Sequence, residues 1–167
     1  EELKLFSSLP NLKIVFDVGT RIDIDYINLK PKIEYHLFEP NPEFFGELKK
    51  KISKKKNVFL NNYGLGDKEE KLPYNSYKQA FVSDVSQIVL PIKTLDWYVA
   101  ENKIDKIDFL KIDTEGMDYK VLCGGYETIK RTRYIQYEHW NDRLSFHDIL
   151  DKDFILCYLG GRNVFCI

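Results

Sequence analysis

Residues 15–23, VFDVGTRID, decide how this chain is read. An apolar run ends in Asp17, turns at Gly19 and continues without a second glycine. In α/β proteins a turn of this kind after a buried strand holds a nucleotide or a nucleotide-like cofactor. A dinucleotide would need a G-x-G-x-x-G turn so that its pyrophosphate could approach the backbone. Here Thr20, Arg21 and Asp23 occupy the following positions. The loop therefore predicts a cofactor site, but not one for a pyrophosphate.

Strand-like and helix-like segments alternate on either side of that loop. KIVFDV, KIEYHLFE, NVFLNNYG, KIDFLKID and RYIQYEHW read as strands, being short, apolar and bounded by turn signals. DIDYINLK, NPEFFGELKKKIS, TLDWYVAENKI, MDYKVLCGGYETIKR and SFHDILDKD read as helices. Asn41 and Thr94 are expected as N-caps, Pro42 takes a first helical position, and Gly124–Gly125 can break the fourth helix. Between Asp67 and Leu90 the pattern weakens to two or three short extended runs, expected as a hairpin-like insertion over one end of the sheet. FILCYLG and NVFCI form a final hairpin around Gly160–Gly161. The fold class is thus α/β: a mostly parallel sheet with helices on both faces and a C-terminal antiparallel hairpin.

In such sheets ligands sit beyond the carboxyl ends of the strands. Each expected strand delivers polar groups to that edge: Asp17 and Gly19, then Glu39, then Asn61, Asn62 and Gly64, then Asp113 and Glu115, then Glu138 and His139. Capping and solvation explain any one of them alone, whereas packing alone does not favour so many carboxylates together. Glu39 follows Asp17 by about 20 residues across a βαβ unit, where an acid accepts hydrogen bonds from both hydroxyls of a ribose. A ribose-bearing, phosphate-free cofactor fits this pattern, and S-adenosylmethionine is the common one.

The length of 167 residues suits one domain over residues 1–167, which can also be a piece of a longer polypeptide. A net charge of -1 gives no electrostatic reason to expect nucleic acid as partner, and the basic run Lys49–Lys56 reads as the solvated end of a helix. No apolar stretch reaches the roughly 20 residues of a membrane span, and no secretory signal is evident. Cys123, Cys157 and Cys166 form no C-x-x-C pair, which removes support for zinc and suggests a reduced, cytoplasmic setting. The oligomeric state is not legible in the sequence.

At this point the sequence resembles the FkbM-type methyltransferases. VFDVGTRID, HLFEPNP and TLDWYVAENKIDKIDFLKIDTEGMDYKVLCGG carry the likeness, with NNYGLGD and YIQYEHW matching more loosely, across most of residues 12 to 140. The resemblance implies a class I, Rossmann-like methyltransferase fold that uses S-adenosylmethionine, and O-methylation, often of sugar hydroxyls. It implies cofactor-loop roles for Asp17 and Gly19, and a ribose-binding role for Glu39 with Pro40 beside it. Asn62 and Tyr63 would lie near the adenine, and Asp113 and Glu115 under the methyl-transfer site. Two positions depart from the family pattern. Asp23 replaces the second loop glycine, so Thr20, Arg21 or Asp23 would contact the cofactor by side chain, and Asp118 stands where Glu is usual.

The catalytic candidates are Asp113, Glu115, Glu138 and His139. Glu115 or His139 is favoured as the base for an acceptor hydroxyl, and Asp113 as an orienting group. A divalent metal held by Asp113, Glu115 and Glu138 is an alternative that the spacing does not require. Tyr63, Tyr74, Tyr77, Trp97 and Trp140 are candidates for an apolar platform under a sugar ring. The expected partner is a carbohydrate or glycan acceptor. A non-sugar acceptor, or a non-catalytic module that keeps the fold, are the competing readings.

Overall fold

The structure is a computed structural model and describes residues 2–75, 80–81, 88–139, 146–150, 154–160 and 162–167. The central strands are β1 (Ile14–Val18), β2 (Glu34–Phe38), β3 (Val58–Asn61), β8 (Ile107–Ile112) and β9 (Thr132–Glu138). All five run parallel. β10 (Leu156–Gly160) and β11 (Asn163–Cys166) complete a seven-stranded sheet of order β10-β11-β9-β8-β1-β2-β3. β11 is antiparallel to both of its neighbours. The strand order departs from β1 in both directions, toward β2 and toward β8, and the crevice at such a reversal is where open α/β sheets bind ligands.

The two faces are covered by different parts of the chain. α1 (Glu2–Ser8), α2 (Asp25–Leu29) and α3 (Pro42–Lys51) precede β3. Phe6, Tyr26, Ile27 and Ile52 from this region pack on Val15, Tyr35, Leu37 and Phe109. The opposite face meets α4 (Leu95–Glu101), α5 (Asp118–Cys123), α6 (Tyr126–Ile129) and α7 (Phe146–Leu150) over Phe16, Phe38, Leu110 and Ile135. Alternation along each strand divides the two sets, because successive side chains point to opposite faces. Phe16, Phe38, Tyr35 and Phe109 are fully buried, and truncating one such aromatic costs about 3–5 kcal/mol.

Local signals explain the helix boundaries. Asn41 Oδ1 accepts from the N–H groups of Glu43 (2.9 Å) and Phe44 (3.4 Å), and Thr94 Oγ1 from that of Trp97 (3.1 Å). The helix expected over Met117–Arg131 is broken at Gly124–Gly125 into α5 and α6. A Cβ on Gly124 would lie 1.9 Å from the carbonyl oxygen of Gly66, so the break lets two backbones touch.

The weakly patterned region forms a second sheet of order β4-β7-β5-β6, from β4 (Gly64–Leu65), β5 (Glu70–Asn75), β6 (Ala80–Phe81) and β7 (Ile88–Lys93). Pro73 and Pro91 sit inside its ladders, where proline cannot donate, which accounts for the faint strand signal. Gly161 of the expected terminal turn lies outside the described residues. Among those residues no helix is long and apolar enough to cross a membrane.

Candidate active site

A cavity of about 510 Å³ opens beyond the carboxyl ends of β1, β2 and β8, within the range of small-molecule sites. The loop after β1 supplies Gly19, Thr20, Arg21 and Asp23, and β2 and α3 supply Glu39, Pro40 and Phe44. From β8 and its loop come Lys111, Asp113, Thr114, Glu115 and Met117, while Leu65 of β4 and Tyr74 of β5 close it from the second sheet.

The β1 loop is a tight turn stitched to its neighbours. Gly19 N–H and Thr20 N–H both donate to the carbonyl of Phe38, at 3.0 and 3.3 Å. Thr20 Oγ1 donates to the carbonyl of Asp17 at 2.9 Å. Gly19 has φ +82°, and a Cβ there would lie 1.9 Å from the carbonyl oxygen of Asp113. A side chain at 19 would push the β1 and β8 loops apart.

Glu39 is the acid of the cavity lining held by two backbone N–H groups. It is buried, and its Oε2 accepts from Arg21 N–H (2.7 Å) while Oε1 accepts from Asn41 N–H (2.8 Å). Each carboxylate oxygen has two acceptor positions, so one per oxygen remains for a ligand. Burial pushes the carboxyl up to about 7, against the two N–H bonds that favour its ionised form. Arg21 holds φ +58°, a left-handed conformation uncommon for a residue with a side chain, and its N–H is the one bound by Glu39. Asn62 Nδ2 donates to the carbonyls of Glu39 (3.0 Å) and Pro40 (3.2 Å), anchoring the same loop from behind.

Asp17 does not face the cavity. It lies beneath it, 5% exposed, with Oδ1 3.3 Å from Lys111 Nζ. Lys111 Nζ is also 3.3 Å from Asp113 Oδ2. Burial would strip the Lys111 proton, but the two carboxylates outweigh it and hold the ammonium charged. Asp118 is almost wholly buried and accepts from Thr114 N–H (3.2 Å), Thr114 Oγ1 (2.6 Å) and Glu138 N–H (3.1 Å). It ties the β8 loop to the end of β9. Burial raises its carboxyl above the usual range, with these three bonds opposing. Glu115, at φ +54°, is exposed at the cavity mouth.

Eight of the cofactor and catalytic candidates thus meet in one cavity: Gly19, Thr20, Arg21, Asp23, Glu39, Pro40, Asp113 and Glu115. Asn62 supports it, and Asp17 underlies it. Tyr63, Glu138 and His139 do not line it. Tyr63 packs edge-on against Phe38 and Trp97, at centroid distances of 6.0 and 6.2 Å. His139 stands edge-on to Phe146 at 4.7 Å. The Asp113–Glu115–Glu138 metal set is not assembled: among the described residues no three His, Cys, Asp or Glu side chains are grouped to hold an ion. Among the described members of the aromatic platform only Tyr74 lines the cavity, and Tyr77 and Trp140 lie outside the described residues. Lys111 was missed by sequence reasoning. Its signal is a lysine inside the strand IDFLKI, which a buried parallel sheet tolerates only when the charge is paired.

Residues 17–160 match the family model for the FkbM methyltransferase domain. A 2-O-methyltransferase, NoeI, of Sinorhizobium fredii (strain NBRC 101917 / NGR234) is 22% identical over 157 residues, covering 78% of this chain and 65% of that protein. The solved FkbM methyltransferase of Methylobacillus flagellatus KT superposes with a TM-score of 0.69 at 16% identity, covering 97% of this chain and 48% of the other. The Aeropyrum pernix fibrillarin, solved with natively bound S-adenosyl-L-methionine, gives 0.56 at 7% identity over 99% of this chain and 73% of the other. These structural likenesses establish a shared Rossmann-like methyltransferase fold. The chain spans less than two thirds of the length of NoeI and about half that of the Methylobacillus protein. A loop built on a single glycine, an acid fixed at the end of β2 and a family match over residues 17–160 converge on one conclusion: this chain belongs to the FkbM methyltransferase-domain family.

Proposed function

We propose that the chain is an S-adenosylmethionine-dependent O-methyltransferase acting on a hydroxyl of a sugar or glycan. The observation that carries the donor assignment is Glu39. Two backbone N–H groups fix its carboxylate at the cavity and leave one acceptor position on each oxygen for a ribose diol. Asp23, Asp113 and Glu115 around the same cavity disfavour a phosphate and favour a donor that carries positive charge. The oxygen acceptor is supported by the relative named a 2-O-methyltransferase. The sugar class rests on the family resemblance, and the free thiol of Cys123 suits a cytoplasmic setting.

S-adenosylmethionine would supply the chemistry: its methyl carbon passes to the acceptor oxygen as the carbon–sulfur bond breaks, and the leaving thioether is neutral. The protein's task is then to orient the acceptor and take one proton. Orientation alone supplies much of the rate. Glu115 is the residue at the cavity mouth that takes the hydroxyl proton. It is exposed, and it has no hydrogen bond or ion pair among the described residues. Asp113, 3.3 Å from Lys111 Nζ, orients the ligands instead.

Calorimetry with S-adenosylmethionine and S-adenosylhomocysteine tests the donor. Binding that weakens sharply in Glu39→Ala is expected, and undiminished binding refutes the placement. A methyl-transfer screen over glycans, amines and phenols tests the acceptor, with transfer to amines alone ruling out the proposal. Glu115→Gln should lower kcat by about 100-fold while leaving donor affinity intact. Full activity in that variant would exclude Glu115 as the base.

A further inference from the structure

Lys111 is a partly buried cation of the cavity wall. It projects from β8, beside Asp17 of β1 in the strand register, and its side chain is 12% exposed. An ammonium has three N–H donors. Among the described residues Nζ donates to Asp17 Oδ1 and forms an ion pair with Asp113 Oδ2, each at 3.3 Å. The remaining neighbour is the ring of Tyr26, 6.0 Å from Nζ, which attracts the charge without accepting a directed hydrogen bond. One N–H is therefore left over on a charged group that lines an open cavity.

We propose that this third N–H binds the carboxylate of the methionine moiety of the methyl donor. The inference rests on the donor reading given above. Position supports it as well as charge. Glu39 stands at the end of β2 and Lys111 near the end of β8, on either side of β1. Two strand spacings, about 10 Å, separate those strands. This is the scale of a ligand whose ribose lies at one end and whose amino-acid carboxylate lies at the other. Among the lining residues Lys111 and Arg21 are the cations, and Arg21 is exposed at the β2 side, with its guanidinium carbon 5.7 Å from the Phe44 ring centroid. Lys111 is the cation placed at the β8 side. Asp113, at its flank, is then available to the donor's ammonium.

The test compares S-adenosylmethionine with its decarboxylated analogue, which keeps the sulfonium and the amine but lacks the carboxylate. Affinities are measured by calorimetry on wild type and Lys111→Met. A charge-assisted contact predicts that Lys111→Met weakens S-adenosylmethionine by at least about tenfold. The analogue should change by no more than about twofold, because it never used that N–H. Removing Lys111 leaves Asp17 buried and unpaired, so Lys111→Met/Asp17→Asn, which deletes both charges, is measured in parallel. If both ligands weaken equally in the variants, the carboxylate assignment is overturned while the donor reading stands. If neither S-adenosylmethionine nor S-adenosylhomocysteine binds wild type, the donor reading falls first and this inference with it.

Discussion

Glu39 should make the stability of this protein fall as pH rises through neutrality, and the size of the effect follows from its surroundings. Burial lifts its carboxyl from an ordinary value of 4.5 to about 7. Between those values the native state binds a proton that the unfolded state has released. The stabilising contribution is thus complete below the unfolded value and is lost as pH climbs through the folded one. The shift, from 4.5 to about 7, corresponds to roughly 3 kcal/mol at 1.36 kcal/mol per unit. Asp17 and Asp118 are raised by burial too and titrate in the same sense, so wild type alone would not isolate Glu39. Glu39→Gln does, because an amide is neutral throughout. It places an N–H₂ against one of the two backbone N–H donors, a cost that does not vary with pH and so cancels from the trend. Urea unfolding of both proteins should show the stability of the variant minus that of wild type growing by roughly 3 kcal/mol between about pH 4.5 and about pH 8.5. A difference that stays flat across this window would refute the claim that the fold desolvates Glu39.

Other expectations can be checked in the same way. Binding of S-adenosylhomocysteine should tighten as pH rises through about 7, the value to which burial lifts Glu39, because ribose hydroxyls favour the ionised carboxylate; proton release measured in two buffers should vanish in Glu39→Gln. Gly19→Ala forces a Cβ to within 1.9 Å of a backbone oxygen and should destabilise by roughly 3 kcal/mol or more in thermal or urea melts. Gly46→Ala is the opposite case: α3 has open space at that position, and better helix propensity should add about 0.5–1 kcal/mol. Asp118→Ala leaves Thr114 and Glu138 N–H groups without their acceptor; a loss of about 2–3 kcal/mol is expected, and a variant as stable as wild type would mean that water replaces the carboxylate.

The parts of this molecule that were legible in the sequence are those where burial restricts the choice of residue. β1, β2 and β8 are short apolar runs, and the acids that follow them cannot be buried in the sheet, so Glu39, Asp113 and Glu115 were assignable to its edge. The rest depends on directions that the order of residues does not contain. Asn62 and Tyr63 follow β3 as expected, yet one turns back to hold the Glu39 loop and the other packs into the core. Glu138 and His139 end a strand one place beyond β8, off the point where β1, β2 and β8 converge on the cavity. Lys111 acquires its meaning only when the strand register sets it beside Asp17. Tyr74 arrives from a second sheet whose prolines mask its pattern. The seven residues of α1 are too few to display a helical period.

The place of β11 has a consequence for how the molecule is made. Although β10 is synthesised first, it does not touch β9; β11 lies between them and bonds to both. While translation is under way, the outer rim of β9 has no native strand to bind until residues 163–166 have left the ribosome. Among the described residues, those that line the cavity fall between 18 and 117. These lining residues are therefore synthesised before the sheet is closed, and the outer edge of β9 is open to mispairing during that interval.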